Sequence, residues 1–224
     1  MIFDPVYLMV AIPCMILAGI ATMLTKSTFA KYSKVPSSSG LTGYQAARRM
    51  LDSQGLGDVQ IERVQGFLSD HYDPRHRVLR LSPPVYDSPS LSAVGVACHE
   101  AGHALQHAQH YAPLKLRSAM VPATSFSSRF SYILLMAGIF LSIPQLMNLG
   151  LLCFALSVVF SVVTLPVEWD ASARAKKQLV TAGIITPDEQ VQAGRVLNAA
   201  FLTYVASAVT ALATFLYFFL RSRR

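Results

Sequence analysis

Residues 99–103 read His-Glu-Ala-Gly-His, and these residue types at this spacing could bind and use a metal ion. On an α-helix, positions i and i+4 lie on one face about 40° apart, so His99 and His103 can reach the same ion. Glu100 lies between them and can hold a water at that ion. This is the H-E-x-x-H pattern of zinc metalloproteases, in which the glutamate is the general base. The pattern predicts one zinc ion per chain and hydrolysis of a peptide bond.

A third protein ligand must come from elsewhere, because a catalytic zinc site binds three side chains and keeps the fourth position open. Glu168 follows an apolar stretch and begins the run Glu-Trp-Asp-Ala-Ser. It would serve as the downstream glutamate ligand of a gluzincin-like site. The alternative is a surface carboxylate at a helix N-terminus, where the helix dipole favours negative charge. Asp170 competes for the role, but on a helix it points about 200° away from Glu168, so both cannot bind one ion.

Two further histidines follow the motif on the same predicted helix. His107 comes four residues after His103 and lies roughly on the same face, which allows a place beside the ligands or facing the substrate. His110 suits the helix end, where a cation is favoured.

A polar turn precedes the motif helix at residues 70–74, Asp-His-Tyr-Asp-Pro. His71 or Tyr72 could donate a hydrogen bond to a tetrahedral oxyanion. A turn held only by its aspartates and proline explains these residues equally well, and His76 flanks the same turn.

The composition indicates a membrane protein. Hydrophobic residues make up 53% of the chain and charged residues 14%, against about 25% charged residues in an average soluble domain. A bilayer span needs about 20 apolar residues. Four stretches predict about four transmembrane helices, the middle two forming a hairpin that turns around Pro144–Gly150. These stretches are Val6–Leu24, Tyr132–Met147, Leu149–Leu165 and Ala199–Leu220.

The charges predict the orientation. The segment Met1–Tyr7 has no lysine or arginine and carries Asp4, which favours an uncleaved anchor over a signal peptide. The net charge of +7 comes from basic residues that flank the apolar stretches, so we expect no nucleic-acid partner. By the positive-inside rule these flanks place the catalytic side in the cytoplasm of a multi-pass inner-membrane protein, although the basic tail at Arg221–Arg224 conflicts with this.

The predicted fold class is mainly α, with about four transmembrane helices and a small α+β zincin-like catalytic domain. Thr42 and Gln45 predict a capping box, Ser90 the N-cap of the motif helix, and Thr186 another helix start. Two short strands are expected at 59–64 and 77–81, and an extended peptide could pair with the second by β-augmentation if it forms a sheet edge. The predicted domains are an N-terminal transmembrane helix (1–25), the catalytic domain (26–129), a transmembrane hairpin (130–166), a third-ligand helix and connector (167–198), and a last transmembrane helix with a basic tail (199–224).

Several blocks of the chain resemble the YugP-type neutral zinc metallopeptidases of bacterial membranes. They are a turn-and-strand block, the motif helix, a downstream block and the entry to the last span, at 68–82, 96–106, 165–173 and 196–206. The resemblance implies that His99, His103 and Glu168 bind zinc and that Glu100 is the catalytic base. The family is similar to HtpX-type proteases, whose ligand glutamate is followed four residues later by aspartate. Here that position is Ser172, which would orient a ligand histidine more weakly.

The expected partners are protein or peptide substrates associated with the membrane, the lipid bilayer, and membrane-protein partners or further copies of the chain. An alternative function is a catalytically weak or inactive zincin-fold membrane protein that acts as an assembly or partner-binding factor. A metal transporter would need ionisable residues inside the spans, and the segment Tyr132–Leu165 has none.

Overall fold

The computed structural model describes residues 4–66 and 69–223. Leu68, which begins the turn-and-strand block, lies outside this part of the chain. The described residues are mostly helical, with a small sheet, as the sequence predicts. The elements in chain order are α1 (Pro5–Tyr32), α2 (Gly43–Ser53), β1 (Gln60–Arg63), β2 (His71–Asp73), β3 (Val78–Leu81), α3 (Pro83–Tyr86), α4 (Leu91–Ala108), α5 (Ala112–Phe140), α6 (Pro144–Thr181) and α7 (Pro187–Ser222).

The chain divides into two compact units. A helical unit contains the described residues within 1–22, 113–166 and 203–224, and a sheet-containing unit contains those within 23–112 and 167–202. Helices α1, α6 and α7 each contribute residues to both units. All the predicted metal ligands belong to the sheet-containing unit.

Within the described residues, three helices are long and apolar enough to cross a membrane, namely α1, α6 and α7. The predicted span Tyr132–Met147 is not one of them. Helix α5 ends at Phe140 and α6 begins at Pro144, so the apolar run is split between two helices. The part of α5 just before it carries Arg129 and several serines. The hairpin therefore turns at 141–143, earlier than expected, and a fourth crossing stays a prediction.

Close backbone contact joins α5 to α6 in the helical unit. A Cβ atom on Gly138 would lie 2.5 Å from the amide nitrogen of Met147, and one on Gly150 would lie 2.6 Å from that of Leu135. Small residues allow helices to approach in this way in membranes. The buried side chains of this unit include Leu135, Leu151, Phe154, Tyr217 and Phe218, which form one apolar cluster.

The sheet of the other unit has the strand order β1-β3-β2. Strand β1 runs parallel to β3, and β2 runs antiparallel to it. The prediction that a peptide could pair with β3 is wrong, because β3 is the central strand and both of its edges are used. Residues 70–74, predicted as a turn, include strand β2. Strand β2 is three residues long, too short to show an alternating pattern, and it forms through its pairing with β3.

The motif helix α4 begins and packs as its sequence requires. The Ser90 hydroxyl accepts a hydrogen bond from the amide of Ala93 and caps the helix. Thr42 and Gln45 form the predicted capping box on α2, which packs against α4. A Cβ atom on Gly102 would lie 2.6 Å from the carbonyl oxygen of Ala171. Helices α4 and α6 therefore touch through their backbones one residue before His103.

Two long helices replace several shorter predicted segments. Glu168 lies in the interior of α6, which is continuous through Pro166. It is only 2% exposed. The alternative of a surface carboxylate at a helix N-terminus is therefore wrong. Helix α7 starts directly after Thr186, as expected, and runs without a break through the last apolar stretch.

Candidate metal centre

Two histidines and one glutamate converge inside the sheet-containing unit. The Nε2 atom of His99 lies 3.2 Å from Oε2 of Glu168, and Nε2 of His103 lies 3.6 Å from the same oxygen. One ligand atom from each residue can be chosen so that all three lie within 4.8 Å of one another. Helix α4 supplies both histidines on one face, and α6 supplies the carboxylate at the point where the two helices touch. This group could hold a metal ion.

The other ring nitrogen of His99 has a partner on α6. Its Nδ1 atom lies 3.0 Å from the hydroxyl oxygen of Ser172. Ser172 follows Glu168 by one helical turn, so both side chains face α4. Metal-binding histidines commonly bond through their second nitrogen to an oriented polar group, and the structure places Ser172 where it can do this.

The other ring nitrogen of His103 is bonded to a residue that the sequence analysis missed. Its Nδ1 atom lies 2.9 Å from Oε1 of Gln106. The amide nitrogen of Gln106 donates to the carbonyl oxygen of Val167 and to Oδ2 of Asp170, each at 2.8 Å. Gln106 is fully buried. Gln106 is a polar residue on the apolar side of α4, three residues after the candidate ligand His103. That position was the sequence signal that could have identified it.

Glu100 lies next to the two histidines on α4 and is half-buried. Burial raises the pKa of its carboxyl group, with a further contribution from the charge of Glu168, while His99 and His103 oppose the rise. A carboxylate with a raised pKa is a better proton acceptor than an ordinary surface glutamate.

Asp170 does not join the three converging ligands. Its carboxylate accepts a hydrogen bond from Gln106 and also contacts the guanidinium group of Arg174. Since Asp170 is two residues beyond Glu168, it lies on another side of α6, as helical geometry requires. It therefore supports the site through Gln106.

Tyr72 and His107 meet one turn beyond His103. The Tyr72 hydroxyl lies 2.9 Å from Nδ1 of His107, and burial raises the pKa of this tyrosine. Both side chains line a cavity of about 370 Å³. The other lining residues are Leu56, Val59, Arg77, Ala104, Ala108 and His110.

The remaining histidines are exposed and do not belong to the converging group. The Nδ1 atom of His71 lies 2.8 Å from the carbonyl oxygen of Ser69, and that of His76 lies 2.7 Å from a carboxylate oxygen of Asp73. His110 follows the end of α4 and has a positive φ of 52°. The structure thus separates His71 from Tyr72, which the sequence analysis had treated as equivalent candidates.

Comparison with known proteins identifies the family. The family model described as "Putative neutral zinc metallopeptidase" matches residues 7–223. The chain belongs to this family. It is also 49% identical over 192 residues to the "Putative membrane protease YugP" of Bacillus subtilis (strain 168), covering 86% of this chain and 85% of that protein. No solved structure matches the chain. The resemblance found in the sequence is therefore confirmed.

The donor set fits the zinc that the family description implies. Two imidazole nitrogens and one carboxylate oxygen are common zinc ligands in catalytic sites. The Nδ1 atoms of His99 and His103 face Ser172 and Gln106, and their Nε2 atoms face Glu168. A buried carboxylate is costly without compensating positive charge, and a divalent cation here would provide it.

Proposed function

We propose that this chain is a membrane-embedded zinc metalloendopeptidase. The observation that carries the proposal is the convergence of His99, His103 and Glu168 within 4.8 Å, from helices far apart in the sequence. Membership of the zinc metallopeptidase family supports it. The proposed zinc ligands are these three side chains, with one ion per chain.

The proposed reaction is hydrolysis of a peptide bond by water. Zinc, when bound, would act as a Lewis acid that polarises the substrate carbonyl and makes water easier to deprotonate. Glu100 accepts a proton from the attacking water and then donates it to the leaving amine. Its raised pKa favours the first role, because a more basic carboxylate accepts the proton more readily. His99 and His103 keep their positions through Ser172 and Gln106.

Membrane-associated proteins are the proposed substrate class. Glu168 comes three residues after Leu165, the last residue of a predicted span, and both belong to α6. That helix is one of three that could cross a membrane. The relative from Bacillus subtilis is named a membrane protease. A ligand so near in sequence to a span favours substrates at the bilayer over soluble proteins.

A fourth crossing by α5 forms part of the proposal. In the helical unit, Leu135 of α5 packs in one cluster with Leu151 and Phe154 of α6 and Tyr217 of α7. A helix packed among candidate spans would share their environment. The basic residues that flank the spans support a cytoplasmic catalytic side. Labelling of a cysteine introduced at Lys34 by an impermeant reagent in intact cells would contradict that orientation.

The alternative is an inactive member of the family that binds and assembles other membrane proteins. The complete donor set and the presence of Glu100 beside it weigh against this alternative. Activity measurements on a single variant separate the two functions.

Replacement of Glu100 by glutamine tests the proposal. Purified wild-type protein should contain about one zinc per chain and cleave an unstructured protein substrate. Glu100→Gln should keep the zinc and lose cleavage, because the amide cannot accept the proton. Glu62→Gln is the matched control, since Glu62 is half-exposed on β1 and pairs with Arg80. Equal cleavage by Glu100→Gln, or a wild-type protein without zinc, would refute the proposal.

The wild-type and Glu100→Gln proteins can also be used to search for the physiological substrate. Membrane proteomes of cells that carry the wild-type or the Glu100→Gln protein should differ in proteins that accumulate only with the variant. Such proteins are the candidates for direct cleavage in vitro.

A further inference from the structure

We propose that Gln106 is a positioning residue that fixes His103 in the tautomer whose Nε2 atom is available to a metal. The same side chain joins His103 to the helix that carries Glu168. The inference deepens the proposed zinc site and rests on it for its functional meaning. The hydrogen on Nδ1, however, is set by contacts within the protein and can be measured without metal.

The orientation of the Gln106 amide follows from its partners. One of the two polar atoms of the amide lies 2.8 Å from both the carbonyl oxygen of Val167 and the Oδ2 atom of Asp170. A carbonyl oxygen only accepts hydrogen bonds, and Asp170 is an acceptor as well because it pairs with Arg174. The reversed amide would bring its oxygen against two acceptors. The NH₂ group must therefore face α6, and the oxygen must face His103.

The protonation of His103 follows in turn. Oε1 of Gln106 lies 2.9 Å from Nδ1 of His103. An amide oxygen has no proton to give, so Nδ1 must carry the hydrogen. A neutral imidazole carries only one such hydrogen, which leaves a lone pair on Nε2. That is the nitrogen 3.6 Å from Glu168.

The equivalent contact at His99 does not fix a tautomer. Ser172 presents a hydroxyl group to Nδ1 of His99, and a hydroxyl can either donate or accept. Its hydrogen rotates to suit the ring. The hydrogen-bond partner therefore fixes the position of the hydrogen on the His103 ring but not on the His99 ring.

Burial makes the Gln106 contacts strong. The side chain is 0% exposed, so water cannot easily replace a lost partner, and an unpaired buried polar group is costly. Val167 and Asp170 stand one residue before and two residues after Glu168 on α6. Gln106 therefore holds the two sides of the metal site together where α4 and α6 are in backbone contact.

The network continues beyond Asp170. Arg174 contacts both the Asp170 carboxylate and the side-chain oxygen of Gln109. Gln109 caps the end of α4. Arg174 thereby holds the Asp170 carboxylate in place, which holds the Gln106 amide in the orientation described above.

Gln106→Met is the decisive variant, because methionine keeps the length and the packing but has no amide. In zinc-free wild-type protein, nitrogen NMR of labelled histidines should show His103 protonated at Nδ1, with the signal assigned by its loss in His103→Ala. In Gln106→Met the ring should populate both tautomers. The zinc dissociation constant, measured by chelator competition in detergent, should rise about 10- to 100-fold, the usual effect of losing a partner of a metal ligand.

Two further variants separate positioning from folding. Ser92→Ala removes another fully buried polar group from α4, seven residues before the first ligand, and should leave the zinc dissociation constant unchanged. Asp170→Asn keeps an acceptor for the Gln106 amide and should bind zinc nearly as wild type, whereas Asp170→Ala should bind it more weakly. Melting temperatures identify any variant that simply fails to fold.

Two results would overturn the inference. One is a wild-type His103 that carries no hydrogen on Nδ1. The other is a folded Gln106→Met protein that binds zinc as tightly as Ser92→Ala. If wild-type protein binds no zinc at all, the proposed function fails, and the nitrogen spectrum of His103 still decides the tautomer.

Discussion

The hydroxyl group of Ser172 lies 3.0 Å from Nδ1 of His99. Ser172 is one turn beyond Glu168, so a single helix supplies both a candidate ligand and the partner of another candidate ligand. A neutral hydroxyl orients the ring without adding negative charge beside the buried Glu168 carboxylate.

Replacing Ser172 by alanine should weaken zinc binding only modestly. A neutral hydrogen bond contributes about 0.5–1.5 kcal/mol, which corresponds to a dissociation constant raised by at most about tenfold. Chelator competition measures the change. Ser161→Ala is the control on the same helix, because that hydroxyl bonds to the carbonyl of Val158 within α6. An effect larger than that of Gln106→Met would contradict the relative importance assigned to the two partners.

Replacing Glu168 by alanine should weaken zinc binding more than any change of a supporting residue, hence by more than about 100-fold. The reason is that it removes one of the three proposed ligands. Added zinc should raise the melting temperature of the wild type, since a ligand that binds only the folded state stabilises it. Glu168→Ala should show no such rise at the same zinc concentration. Full zinc occupancy in Glu168→Ala would transfer the ligand role to Asp170 or His107.

Removing the Tyr72 hydroxyl should lower kcat and leave KM nearly unchanged. This is expected if the hydroxyl, which is 2.9 Å from His107, donates to the oxyanion of the transition state. Loss of one such donor costs up to about 10²–10³-fold in kcat. Tyr44→Phe is the control, because Tyr44 stacks on Tyr86 in the same unit. A Tyr72→Phe variant with wild-type kcat would leave Tyr72 as a residue of the turn and strand only.

Replacing Gly102 by alanine should destabilise the protein and disturb the metal site. The added Cβ atom would lie 2.6 Å from the carbonyl oxygen of Ala171, so α4 and α6 must move apart. Overpacking of this kind costs about 1–3 kcal/mol. The displacement also separates the histidines from Glu168, so zinc affinity should fall.

Gly95→Ala is the matched control for Gly102→Ala. Both glycines are in α4, but a Cβ atom on Gly95 would meet its nearest neighbour, the Cβ atom of Ala193, at an ordinary 3.6 Å. The better helix propensity of alanine should leave Gly95→Ala as stable as the wild type or more so. Equal denaturation midpoints for the two variants would contradict the close contact at Gly102.

Features that depend on neighbouring residues were predictable from the sequence. The capping box at Thr42, the helix start at Thr186 and the N-cap at Ser90 follow from residue types within one turn. The pairing of His99 with His103 follows from helical periodicity. Features that depend on contacts between distant segments were harder to predict from the sequence. Strand β2 has too few residues to show a pattern, and Gln106 is 61 residues from Val167 and 64 residues from Asp170 in the sequence.

The sequence by itself determined the chemical groups of the candidate site, because an i, i+4 pair of histidines and an intervening glutamate act through local helical geometry. It also pointed to Glu168, but it could not tell a buried ligand from an exposed carboxylate. Tertiary structure decided that. Gly102 lets α4 touch the backbone of α6 at Ala171, and this contact brings a carboxylate 65 residues after His103 against both imidazoles. Burial at that contact then selects Ser172 and Gln106 as partners, because polar groups removed from water must bond to one another.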